Sequence, residues 1–148
     1  MLPARPRMVR VQAEIPLGRM DEYRQMFAEI MRGARPRMQA LEHELQQISG
    51  RAMLALDVIA TTVRRNPGTG QAGRLVRFVA GCYNGADYPF DLTDLRGLDT
   101  ALANACLDYL NYDRLAIREV HHHLSGGDAV LHHWLREYGI EPASAQRS

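Results

Sequence analysis

The spacing of apolar positions changes period once, near the amino end of the chain. Residues 9–15, VRVQAEI, alternate strictly, with Val9, Val11, Ala13 and Ile15 on one side and Arg10, Gln12 and Glu14 on the other. That is the period of a half-buried strand. No second convincing strand follows, so its backbone groups need an intermolecular partner or water. The segment is either one strand of a dimer or part of an extended arm over residues 1–15, and the arm is the favoured reading.

From Pro16 the period becomes helical. Met20, Tyr23, Phe27, Ile30 and Met31 share a face, Asp21 and Glu22 sit near the amino end, and Gly33 and Pro36 stop the helix. A second helical pattern starts at Pro36 with Met38, Leu41, Leu45, Ile48 and Ala52 at heptad-like spacing, and continues through Leu56, Ile59 and Val63. Unbroken to Arg65 it would run about 45 Å. Ser49-Gly50 is the expected place for a split, because glycine inside a helix costs roughly 1 kcal/mol against alanine.

The turn Asn66-Pro67-Gly68-Thr69-Gly70 leads into a stripe of Leu75, Val76, Phe78, Val79, Cys82 and Tyr83, which predicts a helix capped at Asn84-Gly85. Beyond Tyr88-Pro89-Phe90, the leucines and Ala105, Cys106 and Tyr109 predict one helix over Leu92 to Leu110. Asp91 is its expected N-cap, Asp94 supports its amino-terminal amides, and the aromatic elbow staples its entry. Asp99 falls off the face of Asp94, against a shared metal or acid–base pair. Ile117, Val120 and Leu124 predict a short helix, and Asp128 is expected to cap a last one carrying Val130, Leu131, Trp134, Leu135 and Tyr138, closed by Gly139. The expectation is all-α: a compact bundle of about six helices over residues 16–140, with the amino-terminal arm before it and a loose tail, 141–148, after it.

A length of 148 residues fits one ordinary core. No apolar run is long enough to span a bilayer, and the arginine-rich start lacks the apolar stretch of a secretory signal, so a cytoplasmic protein without membrane contact is expected. Cys82 and Cys106 both lie on apolar stripes and read as reduced core thiols. All 18 basic residues are arginine. Residues 1–77 hold 13 Arg against 7 acids and residues 78–148 hold 5 Arg against 10, so a net charge of +1 conceals a +6 half and a −5 half. Such asymmetry steers an acidic partner to the first half or favours head-to-tail self-association.

Three chemistries compete for these residues. The arginines Arg5, Arg7 and Arg10, then Arg32, Arg35, Arg37 and Arg51, then Arg64, Arg65, Arg74 and Arg77, suit phosphate or an acidic partner. No recognisable nucleic-acid-binding motif accompanies them, and a solvated, salt-bridged face is the commoner meaning of such a run. Glu119 with His122 or His123, and His133 with Glu137, have one-turn spacing suited to a metal, yet HExxH and paired-cysteine signatures are absent. Asn66 to Gly70 lacks the ending of a phosphate loop, and neither Ser49, Ser125 nor a cysteine has a nucleophile context, so no catalytic residue and no cofactor is assigned.

The segments "GRLVRFVAGCYNGADYPFDLTDLRGLDTALANACLDYL", "REVHHHL", "SGGD" and "WLREYGI" resemble a family of small bacterial proteins of unknown function carried on plasmids and integrative mobile elements, over about residues 52–140. The resemblance implies an accessory role for such an element and supplies no catalytic residues. The leading expectation is therefore a non-enzymatic helical interaction protein with an unidentified protein partner, in one version an inhibitor of a host defence complex. Nucleic-acid binding and metal binding stand as alternatives. A homodimer is suggested by VRVQAEI and the Met38–Ala52 stripe, although an amphipathic stripe more often packs within its own monomer.

Overall fold

The structure, a computed structural model, describes residues 9–33 and 36–147. Among the described residues every regular element is helical and there is no strand: α1 (Met20–Met31), α2 (Pro36–Arg65), α3 (Gly70–Tyr83), α4 (Thr100–Asp113) and α5 (Gly127–Glu137), with short 3-10 turns at Leu17–Arg19, Leu92–Gly97, Val120–His122 and Ala143–Arg147. The all-α expectation therefore holds. The alternating segment 9–15 forms no strand, and Val9 and Val11 are each 82% exposed. Contacts divide the chain into two compact units, residues 1–42 and 43–148.

In the first unit, α1 carries the predicted acidic first turn, Asp21 and Glu22, but buries no residue. Phe27, Ile30 and Met31 on its apolar face are all at least half exposed, as are, very nearly, Met38 and Leu41 at the start of α2.

The second unit is the helical bundle. Along α2 the predicted stripe is buried from Ile48 onward, through Ala52, Leu56, Ile59 and Val63. That part of the stripe is core and not a dimer seam. Gly50 does not split the helix, because it lies on an exposed face where a missing side chain leaves no void. The core is completed by Leu75, Val76 and Val79 of α3, Cys106 and Tyr109 of α4, and Leu131 and Trp134 of α5. Each large side chain so enclosed contributes roughly 1.5–3 kcal/mol relative to exposure.

Helix α3 is central, packing against α4, α5 and both the 92–97 and 120–122 turns. Thr69 caps it, its hydroxyl oxygen accepting from the Ala72 N–H at 3.3 Å. At its other end Asn84 (φ −155°, ψ 89°) is not a left-handed cap. Its side-chain oxygen instead accepts from the Ala86 and Asp87 N–H groups, turning the chain into the Tyr88-Pro89-Phe90 elbow. The elbow then lies so close to α3 that a Cβ on Gly81 would stand 3.0 Å from the Phe90 Cβ and 3.3 Å from the Tyr88 carbonyl.

The single helix expected over 92–110 is two elements. Asp91 caps only the six-residue 3-10 turn, its carboxylate accepting from the Thr93 N–H and hydroxyl, both at 2.8 Å. These two donors hold the Asp91 carboxyl below the usual carboxylate range. Leu98 then takes an extended conformation, and Asp99 is the N-cap of α4, accepting from the Leu102 N–H at 2.9 Å. The reason lies in Gly97-Leu98, where the chain leaves helical geometry and must be capped again. Asp94 is not engaged as a cap, because its carboxylate is held by Arg74 at 3.5 Å and Arg77 at 3.0 Å.

At α5 the cap position is Gly126, in the left-handed region at φ +100°, so Asp128 falls inside the first turn and is no N-cap. Its carboxylate instead lies 3.3 Å from His132. Gly139 closes the helix as predicted: it adopts φ +62°, its N–H bonds to the Arg136 carbonyl, and Ile140 N–H bonds to the Leu135 carbonyl. Of the expected 117–124 helix only a single 3-10 turn, Val120–His122, forms; Val120 on it and Leu124 just after it are buried, while Ile117 is exposed. The tail is tied down as well, Ala143 N–H donating to the Asp87 carbonyl and Ser144 N–H to the Asp87 carboxylate.

Candidate partner-docking groove

The second unit carries an apolar groove between α3, α4 and the segment from the aromatic elbow through the 92–97 turn. Phe78 and Phe90 meet edge to face in its wall, ring centres 5.5 Å apart, with Gly81 giving the elbow room to approach. Cys82, Leu95 and Cys106 line the interior, and Leu92, Leu107 and Leu110 form the rim at 71%, 51% and 41% exposure. The half-open groove has a volume of about 200 Å³. These three exposed leucines stand around one concavity and are not scattered singly over the surface.

The groove has little reactive chemistry. Burial, with Asp113 and then Cys106 adding to it, pushes the Cys82 thiol well above its ordinary range, and burial pushes Cys106 up to about 12. Both thiols are thus protonated at neutral pH and weak nucleophiles. Asp113 is the one charged residue in the lining among the described residues, and burial, together with the like charge of Glu119, raises its carboxyl. Behind it, Tyr109 is fully buried, and its hydroxyl has no hydrogen-bond partner among the described residues.

A family model described as Family of unknown function (DUF7673) matches residues 53–139, more than half of the chain. The chain belongs to that family. Neither a curated protein nor a solved structure matches it. The whole groove lies within the DUF7673 span, whereas α1 and the first turns of α2 lie before it.

The residues singled out from the sequence fall elsewhere. Arg5, Arg7 and Arg35 lie outside the described residues. Arg74 and Arg77 are brought together, but on Asp94, which offsets one of their two charges. Arg64 and Arg65 are exposed in the last turn of α2, and Arg10 and Arg37 are exposed in the first unit. The two metal-ligand sets are not joined: among the described residues no group of three or more His, Cys, Asp or Glu could hold a metal ion. His133 stands 3.7 Å from Glu137, the His122 ring lies tilted against that of His121 with ring centres 4.0 Å apart, and Glu119 makes no side-chain cap bond at the start of its turn. His123 meets the Tyr112 hydroxyl at 3.2 Å, and burial, followed by the charges of Arg118 and His122, lowers its pKa.

Leu92, Leu107 and Asp113 were not signalled as a site by periodicity. Leu107 follows directly on the Leu102, Ala105, Cys106 stripe and so reads as ordinary helix surface, and Asp113 reads as part of the helix end. The available signal is an excess of apolar residues in α4, enough for two faces of one helix.

Proposed function

We propose that this DUF7673 member is a non-enzymatic interaction protein that holds an apolar side chain of a protein partner in the α3–α4 groove. The observation that carries this reading is the concavity of about 200 Å³ rimmed by Leu92, Leu107 and Leu110. Its volume lies below the roughly 300–1,000 Å³ of most small-molecule sites and suits one large side chain inserted as an anchor. Protonated thiols and the lack of an activated nucleophile in the lining favour binding over catalysis. The resemblance to proteins of plasmids and integrative elements extends the proposal to an accessory role in the bacterial cytoplasm, with a host complex such as a defence system as the target.

The test compares the wild-type chain with Leu107→Asp/Leu110→Asp in capture from bacterial host lysate, followed by titration with the purified captured protein. The rim residues are already exposed, so the double variant is expected to fold normally and to bind at least tenfold more weakly. A captured partner whose affinity is the same for both chains refutes the groove as its site.

A further inference from the structure

We propose that the anchor is accompanied by a lysine or arginine, so that the groove takes a basic apolar segment whose cation reaches Asp113. The inference rests on the docking reading above and adds the partner's charge to it.

Asp113 sits at the end of α4 as the one charged group among the described residues of an otherwise apolar lining. No ion pair involving it occurs among the described residues. The neighbouring arginine is turned away, with the Arg114 guanidinium donating to the Asn111 side-chain oxygen at 2.8 Å. The ionisable groups that face Asp113 are Cys82 from α3, Tyr109 from α4 itself and Glu119 before the 120–122 turn. The first two are neutral at physiological pH because burial raises both, and the third has the same sign as Asp113. This edge of the groove is thus acidic, with no compensating charge among the described residues, and the Asp113 carboxyl is raised by burial first and by the like charge of Glu119 second. A carboxylate partly removed from water is stabilised by an opposite charge and opposed by a like one. Lysine and arginine also suit the rim sterically, since their aliphatic stems lie along apolar surface while the head group reaches the carboxylate.

Three probes of one chain length separate the contributions: n-hexylammonium, n-hexanol and n-hexanoate, titrated at neutral pH and low salt into the isotope-labelled full chain and followed by two-dimensional NMR. Shifts are expected at Gly81, Gly85 and Leu107, with the ammonium bound about fivefold more tightly than the alcohol and the carboxylate weakest. In Asp113→Asn the ammonium should fall to the affinity of the alcohol, while the alcohol is unchanged. Equal binding of all three probes, or an ammonium preference that survives Asp113→Asn, overturns the cation requirement and leaves the groove intact. Absence of groove shifts with every probe overturns the docking reading and this inference with it.

Discussion

Replacing Asp99 by alanine removes the oxygen that accepts the Leu102 N–H at 2.9 Å and so uncaps α4. The perturbation is local, because the Asp99 backbone N–H keeps its own bond to the Gln71 side chain at 2.9 Å and continues to fix the start of the helix. Loss of an N-cap costs typically 1 kcal/mol, within a span of about 0.5–2. The upper half of that span applies here because Leu102 is only 6% exposed, which limits access of replacement water to its amide. At roughly 4–8 °C per kcal/mol for a unit of this size, a loss of about 1–2 kcal/mol lowers the melting midpoint by some 5–15 °C. Asp99→Asn keeps an acceptor and loses only the charge–dipole contribution, about 0.3–1 kcal/mol. Urea unfolding followed by circular dichroism at 222 nm measures all three chains, with Asp91→Ala as the control. That control should be milder, since Asp91 caps a short turn that has no fully buried residue. The assignment of Asp99 as the principal cap fails if Asp99→Ala costs no more than Asp91→Ala, or if asparagine there is as damaging as alanine.

Three further outcomes follow from buried or paired groups. Tyr109→Phe removes a fully buried hydroxyl without a partner among the described residues and should stabilise the fold by about 1 kcal/mol, and a clear loss in urea midpoint would mean that the hydroxyl is bonded. Asp113 has a folded pKa above its unfolded one, so the native state binds the extra proton and stability falls as pH rises through the interval between them. Asp113→Asn should therefore match wild type at pH below the ordinary carboxylate range and exceed it at neutral pH, which unfolding midpoints across pH will reveal, and a constant difference would contradict the shift. Asp94→Asn weakens the contacts to Arg74 and Arg77, with an expected loss of about 0.5–1 kcal/mol that shrinks in high salt.

Periodicity located the helices well where one face is buried, as along α2 from Ile48 to Val63 and along α3. It failed where capping geometry decides. The run FDLTDLRGLD offers three acidic residues within reach of a helix start, and the choice of Asp99 over Asp91 depends on Leu98 becoming extended, a tertiary result of packing beside α3. The two arginines of α3 were visible, but not their pairing with one carboxylate, because Asp94 is distant in sequence from Arg74 and Arg77. The groove was hidden for a related reason: its walls come from three elements, and its rim leucines cannot be told from core leucines until the helices are docked.

Asp87 has a bearing on where the folding unit ends. Its backbone carbonyl receives Ala143 at 2.8 Å, one carboxylate oxygen receives Ser144 at 3.2 Å, and the other receives the Asn84 side chain at 3.1 Å. The family match stops at residue 139, and it starts after the buried Ile48. A fragment trimmed to 53–139 would lose two core side chains, Ile48 and Ala52, at one end and both strapping bonds at the other. Limited proteolysis of the full chain should accordingly leave a resistant product that begins before Ile48 and retains Ser144, wider at both ends than the family boundary.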